Sequence, residues 1–145
     1  AGGDHCLGRF DQYMYPFYEK EAAKGASEEY FKDIILEFKL KICELWNIRT
    51  EKESIADPGC PLWMHIMLGG VLPNGKDGCN ELTRVFLRSM KDLQTDEPCI
   101  SFRWHPNIDE ETFRLAIDVA REGGSHPAFY NDTTAITYLL GLGSA

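Results

Sequence analysis

The stretch PLWMHIMLGGVLPNGKDGCNELTRVFLRSMKDLQTDEPCISFRWHP, residues 61–106, decides the fold because two apolar segments flank an amphipathic one. "PLWMHIML" (61–68) is a continuous apolar run, too short for a core helix between its proline and glycine neighbours, and it predicts a buried strand. "NELTRVFLRSMKDL" (80–93) repeats apolar residues at helical spacing. "PCISFRWHP" (98–106) alternates apolar and polar residues as a strand does. Strand, helix and strand in this order predict parallel strands joined by a crossover helix.

The flanking sequence extends the same alternation. Residues 26–50 predict a long amphipathic helix with Ser27 as its N-cap, after an aromatic-rich segment that becomes helical towards Gly25. On the other side, "NIDE" (107–110) has capping-box spacing and starts another helix. "PAFY" (127–130) predicts a short strand, and Asp132 can N-cap a last helix. Three parallel strands leave two edges open, which indicates an arc of a larger sheet or barrel.

Composition narrows the classes of function. The chain has 145 residues, a net charge of −8 and fifteen scattered basic residues, so a nucleic-acid partner is not expected. No apolar run approaches the roughly 20 residues of a membrane span, so no membrane partner is expected either. The five cysteines are odd in number and widely spaced, which favours reduced thiols and a cytoplasmic location.

Candidate chemistry is sparse when judged from the residues alone. The spacings that hold metals, cradle phosphates or form a hydrolase nucleophile elbow are missing from the sequence, so no metal is predicted. Trp63 lies on a predicted strand, where core packing is the ordinary role. Arg103 points away from the Phe102 and Trp104 side, into solvent or a polar cavity. His5 is typical of a hydrogen-bonded loop residue.

Five segments, taken in order, resemble the glycyl radical enzymes of the pyruvate formate-lyase-like family. They are "GRFDQYMYPFYEK" (8–20), "PLWMHIMLGG" (61–70), "NGKDGCNELT" (74–83), "EPCISFRWH" (97–105) and "GGSHPAFYND" (123–132). The similarity runs from Gly8 to Leu140, and its detail is nearer to diol dehydratases, choline lyases and hydroxyproline dehydratases than to pyruvate formate-lyase itself.

The resemblance implies a fold and a chemistry. The family fold is a ten-stranded α/β barrel of two half-barrels, so about three strands alternating with helices would be a partial arc of it. The parent would be a radical lyase or dehydratase that cleaves C–O, C–N or C–C bonds of a small molecule, or a formate acetyltransferase-like enzyme, and would work anaerobically. Its glycyl radical would be installed by an iron–sulfur activating enzyme that uses S-adenosylmethionine, with no cofactor bound directly. The parent is expected to be a homodimer.

Two residues that carry the family's chemistry have no match in this sequence. The family's thiyl cysteine follows the helix that begins after "ND" by one further strand, and its radical glycine lies in an "RV-x-G" motif near the C-terminus. "RVFL" (84–87) begins like that motif but has no glycine. The resemblance therefore implies that residues 1–145 form one segment, truncated before the thiyl loop, without the glycyl radical domain, and inactive alone.

The resemblance also suggests roles for three residues. His5 occupies the position of a histidine that assists proton transfer at the substrate hydroxyl, Trp63 that of an aromatic residue lining the substrate cavity, and Arg103 could reach the same cavity. One alternative is a non-catalytic half-barrel module that binds a partner chain carrying the remaining barrel segments. Another is an unrelated α/β binding domain with coincidental motifs.

Overall fold

The computed structural model describes residues 6–45, 50–56, 64–124 and 126–143. Strands and helices alternate along the chain as β1 (Cys6–Arg9), α1 (Phe10–Tyr13), α2 (Tyr15–Ala22), α3 (Glu28–Glu44), α4 (Glu51–Ala56), β2 (His65–Gly69), α5 (Glu81–Asp92), β3 (Cys99–Trp104), α6 (Glu110–Arg121), β4 (Ala128–Asn131) and α7 (Asp132–Gly141). Among the described helices, none is long and apolar enough to cross a membrane. The predictions for His5 and Trp63 fall outside the described residues.

The described strands form one parallel sheet in the order β1-β2-β3-β4. The α/β class and the alternation predicted from sequence are confirmed, and β2, β3 and β4 correspond to the three predicted strands. β1 is an additional strand that the sequence did not reveal. It spans four residues, Gly8 within it has a φ of +65°, and its register with β2 shifts between Cys6 and Gly8. A segment this short and irregular shows no period of two.

One face of the sheet packs against the helices. Neighbouring strands are also consecutive in the chain, so right-handed crossovers place their connecting helices on the same side. Ile66 and Leu68 of β2 and Ile100 and Phe102 of β3 are buried in a cluster that includes Phe86 of α5. The alternate positions of the strands therefore face the other side of the sheet.

The helix caps show which polar residues start each helix. Ser27 caps α3 as predicted, since its Oγ accepts a hydrogen bond from the Tyr30 N–H. Asn80 caps α5 in a reciprocal capping box with Thr83. α6 is capped by Asp109, two residues after the predicted Asn107, because the Asp109 carboxylate accepts the Thr112 N–H.

The cap predicted for the last helix was wrong. Asn131, and not Asp132, caps α7, because its side-chain oxygen accepts the Thr133 N–H. The Asp132 carboxylate instead accepts hydrogen bonds from Arg103 and from the Val71 N–H.

The short helix α4 was not predicted from the sequence. The buried side of α3 is not purely apolar, because Ile34 is 45% exposed whereas Lys39 is buried.

Candidate functional site at the carboxyl ends of the strands

The carboxyl ends of the four parallel strands meet at one edge of the sheet. Arg9 ends β1, Gly69 ends β2, Arg103 lies one residue before the end of β3, and Asp132 directly follows β4. Ligands of open parallel sheets bind outside this edge. The polar residues there are therefore the candidates for function.

Arg103 is anchored by a buried carboxylate. Its Nε donates to Asp132 Oδ1 at 2.7 Å, and the Val71 N–H donates to Asp132 Oδ2 at 2.7 Å. The Asp132 side chain is 2% exposed and that of Arg103 is 18% exposed. The two terminal nitrogens of Arg103 have no hydrogen-bond partner among the described residues. A guanidinium held at Nε in this way can present those nitrogens to another group.

Gly70 lets this ion pair form. Its φ is +88°, and a Cβ atom at this position would lie 2.8 Å from Arg103 Nε and 2.8 Å from Asp132 Oδ2. Such distances are far shorter than van der Waals contact. The second glycine of the "GG" turn is therefore required both for its backbone conformation and for the approach of Arg103 and Asp132.

Arg9 binds the same turn from the other side. Its Nη2 donates to the carbonyl oxygens of Gly69 at 2.8 Å and Gly70 at 3.1 Å, and its Nη1 donates to Val71 O at 3.1 Å. Burial lowers the pKa of Arg9, and the nearby Arg103 lowers it further. The recorded contacts of its terminal nitrogens are all to carbonyl oxygens, so Arg9 serves to hold the turn in place.

Asp11 connects β2 to the start of α5. Its Oδ2 accepts hydrogen bonds from the Gly69 N–H at 2.6 Å and from Thr83 Oγ1 at 2.6 Å, and its main-chain oxygen accepts one from Asn80 Nδ2 at 2.9 Å. Burial raises the pKa of Asp11, which outweighs the hydrogen bonds that act to lower it. Gln12 continues the connection by donating to Gly78 O at 2.6 Å.

The contacts of Arg9, Asp11 and Gln12 were missed by sequence reasoning. Each joins residues about sixty positions apart, and no local period marks such a pair. The available signal was the cluster of three polar residues, "R-x-DQ", inside an aromatic-rich segment. Buried polar groups need partners, so such a cluster indicates long-range hydrogen bonds.

His105 and Asp77 form a second polar pair at this edge. His105 Nε2 lies 3.1 Å from Asp77 Oδ1, and the His105 side chain is 5% exposed. Burial acts to raise the pKa of Asp77, but hydrogen bonds from the Cys79 and Asp109 N–H groups and from His105 outweigh it, so the pKa is lowered. Asp77 thereby joins the turn after β2 to the start of α6.

An open pocket of about 430 Å³ adjoins both pairs. His105 and Asp132 line it together with Asn107 and Thr133. Its lining is mostly apolar with a few polar groups, and together with its place beyond the strand ends this suits a small ligand. His105 was not singled out from the sequence, because its partner Asp77 lies 28 residues away in the chain.

Neither a reactive thiol at Cys79 nor a metal-binding cluster is indicated among the described residues. Burial, followed by the charge of Asp77, raises the pKa of the Cys79 thiol far above its usual range, so this thiol stays protonated. Among the described residues, no group of three or more His, Cys, Asp or Glu side chains could hold a metal ion.

Comparison with known proteins identifies the family. Residues 1–145 match the pyruvate formate lyase-like family. The chain belongs to that family. It is 32% identical to a probable dehydratase, YbiW, of Escherichia coli K12, over 98% of this chain and 18% of that protein. The family includes glycyl radical enzymes, so the resemblance seen in the five sequence segments is confirmed, and the alternative of coincidental motifs is wrong.

Solved structures of the family share the fold of this chain. The B12-independent glycerol dehydratase of Clostridium butyricum superposes with a TM-score of 0.84 at 29% identity, over 92% of this chain and 17% of that structure. A Roseburia inulinivorans structure of 1,2-propanediol dehydration gives a TM-score of 0.86 at 29% identity, over 94% of this chain and 17% of that structure. The chain thus corresponds to a fragment of the glycyl radical enzyme barrel and spans less than a fifth of these relatives.

Proposed function

We propose that this chain supplies part of the barrel of a glycyl radical dehydratase or lyase that acts on a small hydroxylated molecule. The observation that carries the proposal is the superposition on the glycerol dehydratase, because the similarity covers nearly the whole described fold. The similarity to the probable dehydratase supports the same class of reaction. The parent enzyme would work anaerobically in the cytoplasm, as a homodimer.

The substrate would contact residues on the side of the sheet opposite the helices. Arg103 would donate from its terminal nitrogens to a substrate oxygen, since Asp132 already fixes its Nε. Trp63 would line the cavity. His5 would transfer a proton to the hydroxyl group that leaves as water, a task suited to a side chain with an ordinary pKa near 6.5.

The radical chemistry would require groups beyond those that the chain provides. Arg84–Leu87, which begins like the family's radical-glycine motif, lies inside α5 and holds no glycine. Cys79 is half-buried beside Gly69 in the turn before α5, a place unlike a loop that meets substrate. We propose that the thiyl cysteine and the radical glycine belong to other segments of the parent, that an activating enzyme using S-adenosylmethionine installs the radical, and that residues 1–145 alone have no turnover.

An anaerobic activation experiment tests this proposal. The purified chain and the full product of its gene would each be incubated with the activating enzyme, S-adenosylmethionine, and glycerol or 1,2-propanediol as trial substrates. Electron paramagnetic resonance should detect a glycyl radical in the full product and none in the chain. Turnover by the chain alone would contradict its inactivity. A full product that never forms the radical would sink the enzyme assignment and favour a non-catalytic half-barrel module.

Arg103 can be tested separately in the full product. Arg103→Lys keeps a charge for Asp132 but removes the forked terminal nitrogens. We expect KM for the substrate to rise at least about tenfold, which corresponds to losing about 1.4 kcal/mol of binding. Arg114→Lys is the matched control, since Arg114 pairs with exposed Glu110 and with no other carboxylate among the described residues. An unchanged KM in Arg103→Lys would show that Arg103 has a structural role alone.

A further inference from the structure

A small cavity lies at the amino ends of β3 and β4. The candidate site lies at the other edge of the sheet, where the strands have their carboxyl ends. Its volume is about 20 Å³. Lys39 of α3, Thr95 of the α5–β3 connection and His126 of the α6–β4 connection line it, along with apolar residues such as Met90 and Ile100. Three separate segments of the chain therefore meet at this one cavity.

Two of these side chains bring unpartnered polar atoms. Thr95 Oγ1 and His126 Nδ1 are both buried atoms, and neither has a hydrogen-bond partner in the part of the chain that the structure describes. A buried polar atom without a partner costs about 1–3 kcal/mol. Since native proteins satisfy nearly all such atoms with protein groups or ordered water, both atoms point to a bound molecule.

Lys39 brings unused hydrogen-bond donors to the same place. Its side chain is almost fully buried at 2% exposure, and its Nζ donates to Leu93 O at 2.5 Å. An ammonium group has three donors, and among the described residues no carboxylate pairs with it. A buried charge with a single recorded partner is costly, so a further acceptor near Nζ would stabilise it.

We propose that this cavity binds one ordered water molecule. A cavity of this volume exceeds the roughly 10–15 Å³ that a water needs, and buried waters typically make about three hydrogen bonds. The water would accept a hydrogen bond from Lys39 Nζ, donate one to His126 Nδ1 and bond to Thr95 Oγ1.

The donor and acceptor roles of the three partner atoms distinguish a bound water from a bound ion. His126 Nε2 lies 3.4 Å from the Asp96 carbonyl oxygen, which can only accept, so in the neutral tautomer that donates this hydrogen bond Nδ1 is an acceptor. An anion cannot donate to Nδ1, and the Lys39 ammonium repels a cation. Water both donates and accepts. The site is a structural one, independent of the proposed function, and it ties the two connections to α3.

High-resolution crystallography and oxygen-17 relaxation dispersion of the protein test the proposal. We expect one density peak within hydrogen-bond distance of Lys39 Nζ, Thr95 Oγ1 and His126 Nδ1, and one long-lived internal water in solution that Thr95→Val removes or shortens in residence. Thr134→Val, at an exposed threonine of α7, should leave that signal unchanged. A wild-type cavity without density would overturn the proposal, and so would a peak that behaves as chloride on exchange for bromide. The wild-type measurements do not depend on whether the variant folds.

Discussion

Single residues at the carboxyl edge of the sheet are held by partners distant in the sequence. Asp132 is the extreme case, since one carboxylate joins Arg103 of β3 to Val71 after β2 and is itself 2% exposed. Removing one partner of a buried pair leaves the other charge poorly compensated, and this cost exceeds the value of the pair. Stability at this edge therefore depends on a few individual side chains.

Asp132→Ala should lower the free energy of unfolding by about 3 kcal/mol, because Arg103 and the Val71 N–H both lose their acceptor. Urea denaturation followed by circular dichroism measures the loss. Asp118→Ala is the matched control, because the pair of Asp118 with Arg121 is exposed and should contribute less than about 1 kcal/mol. Equal losses in the two variants would show that the Arg103–Asp132 pair is not a buried contact in solution.

Asp77→Asn should make stability less sensitive to acid. The pKa of Asp77 is lowered in the folded state below its ordinary 3.8, so its carboxylate stabilises the fold above pH 3.8. That contribution is lost as the pH falls through the folded pKa, below 3.8. The difference in unfolding free energy between wild type and Asp77→Asn should be largest above pH 3.8 and shrink below it.

Denaturation at a series of pH values measures this difference. Asp33→Asn, at an exposed position of α3, should change the unfolding free energy by less than about 0.5 kcal/mol at neutral pH. A wild-type advantage over Asp77→Asn that grows on acidification would contradict the assigned hydrogen bonds of Asp77.

At the scale of elements, the turn after β2 organises the site. Arg9 binds its carbonyl oxygens, Asp11 binds its Gly69 N–H, and Asp132 binds its Val71 N–H. The end of β1, helix α1 and the start of α7 thus converge on three consecutive residues, Gly69 to Val71. The conformation of this turn should therefore control the positions of Arg103 and Asp132.

Gly70→Ala should lower the unfolding free energy by about 3 kcal/mol or more, combining backbone strain with a steric clash. Gly75→Ala is a close control, because Gly75 also has a positive φ, of +78°, but a Cβ there meets nothing within 4 Å. Strain alone should cost Gly75→Ala about 1 kcal/mol. If both variants lose the same stability, the close approach at Gly70 is not important.

The sequence predicted elements well where a local period exists. β2, β3, α3 and α5 follow from runs or repeats of apolar residues, and the direction of Arg103 follows from strand alternation. It predicted caps less well where Asn and Asp are neighbours, because the choice at 131–132 depends on the distant Arg103. The site residues Arg9, Asp11 and Asp77 escaped prediction because tertiary contacts, which have no local pattern, assign their roles.

At the scale of the whole molecule, the described surface exposes several large apolar side chains. Phe17, Tyr138, Leu140 and Leu142 are each more than half exposed, and β1 and β4 each have one edge without a partner strand among the described residues. Exposed apolar residues and open strand edges favour association with other protein surfaces. In the proposed parent, the remaining barrel segments would cover them.

The isolated chain should therefore self-associate in a concentration-dependent way, as measured by size-exclusion chromatography with light scattering. Replacing Leu140 and Leu142 with Glu should reduce the association, whereas Thr134→Glu on the same helix should not. A monodisperse monomer at a concentration on the order of 100 μM would contradict this expectation and show that the chain needs no partner.

The position of Cys79 gives a means of timing motion at the turn. Its Sγ lies where a Cβ on Gly69 would come within 2.9 Å, and its thiol is kept protonated by burial and by Asp77. A thiolate attacks alkylating reagents, so Cys79, which is half-buried and held protonated, should react mainly when the turn opens. The alkylation rate of Cys79, followed by mass spectrometry, therefore measures how often the turn after β2 opens.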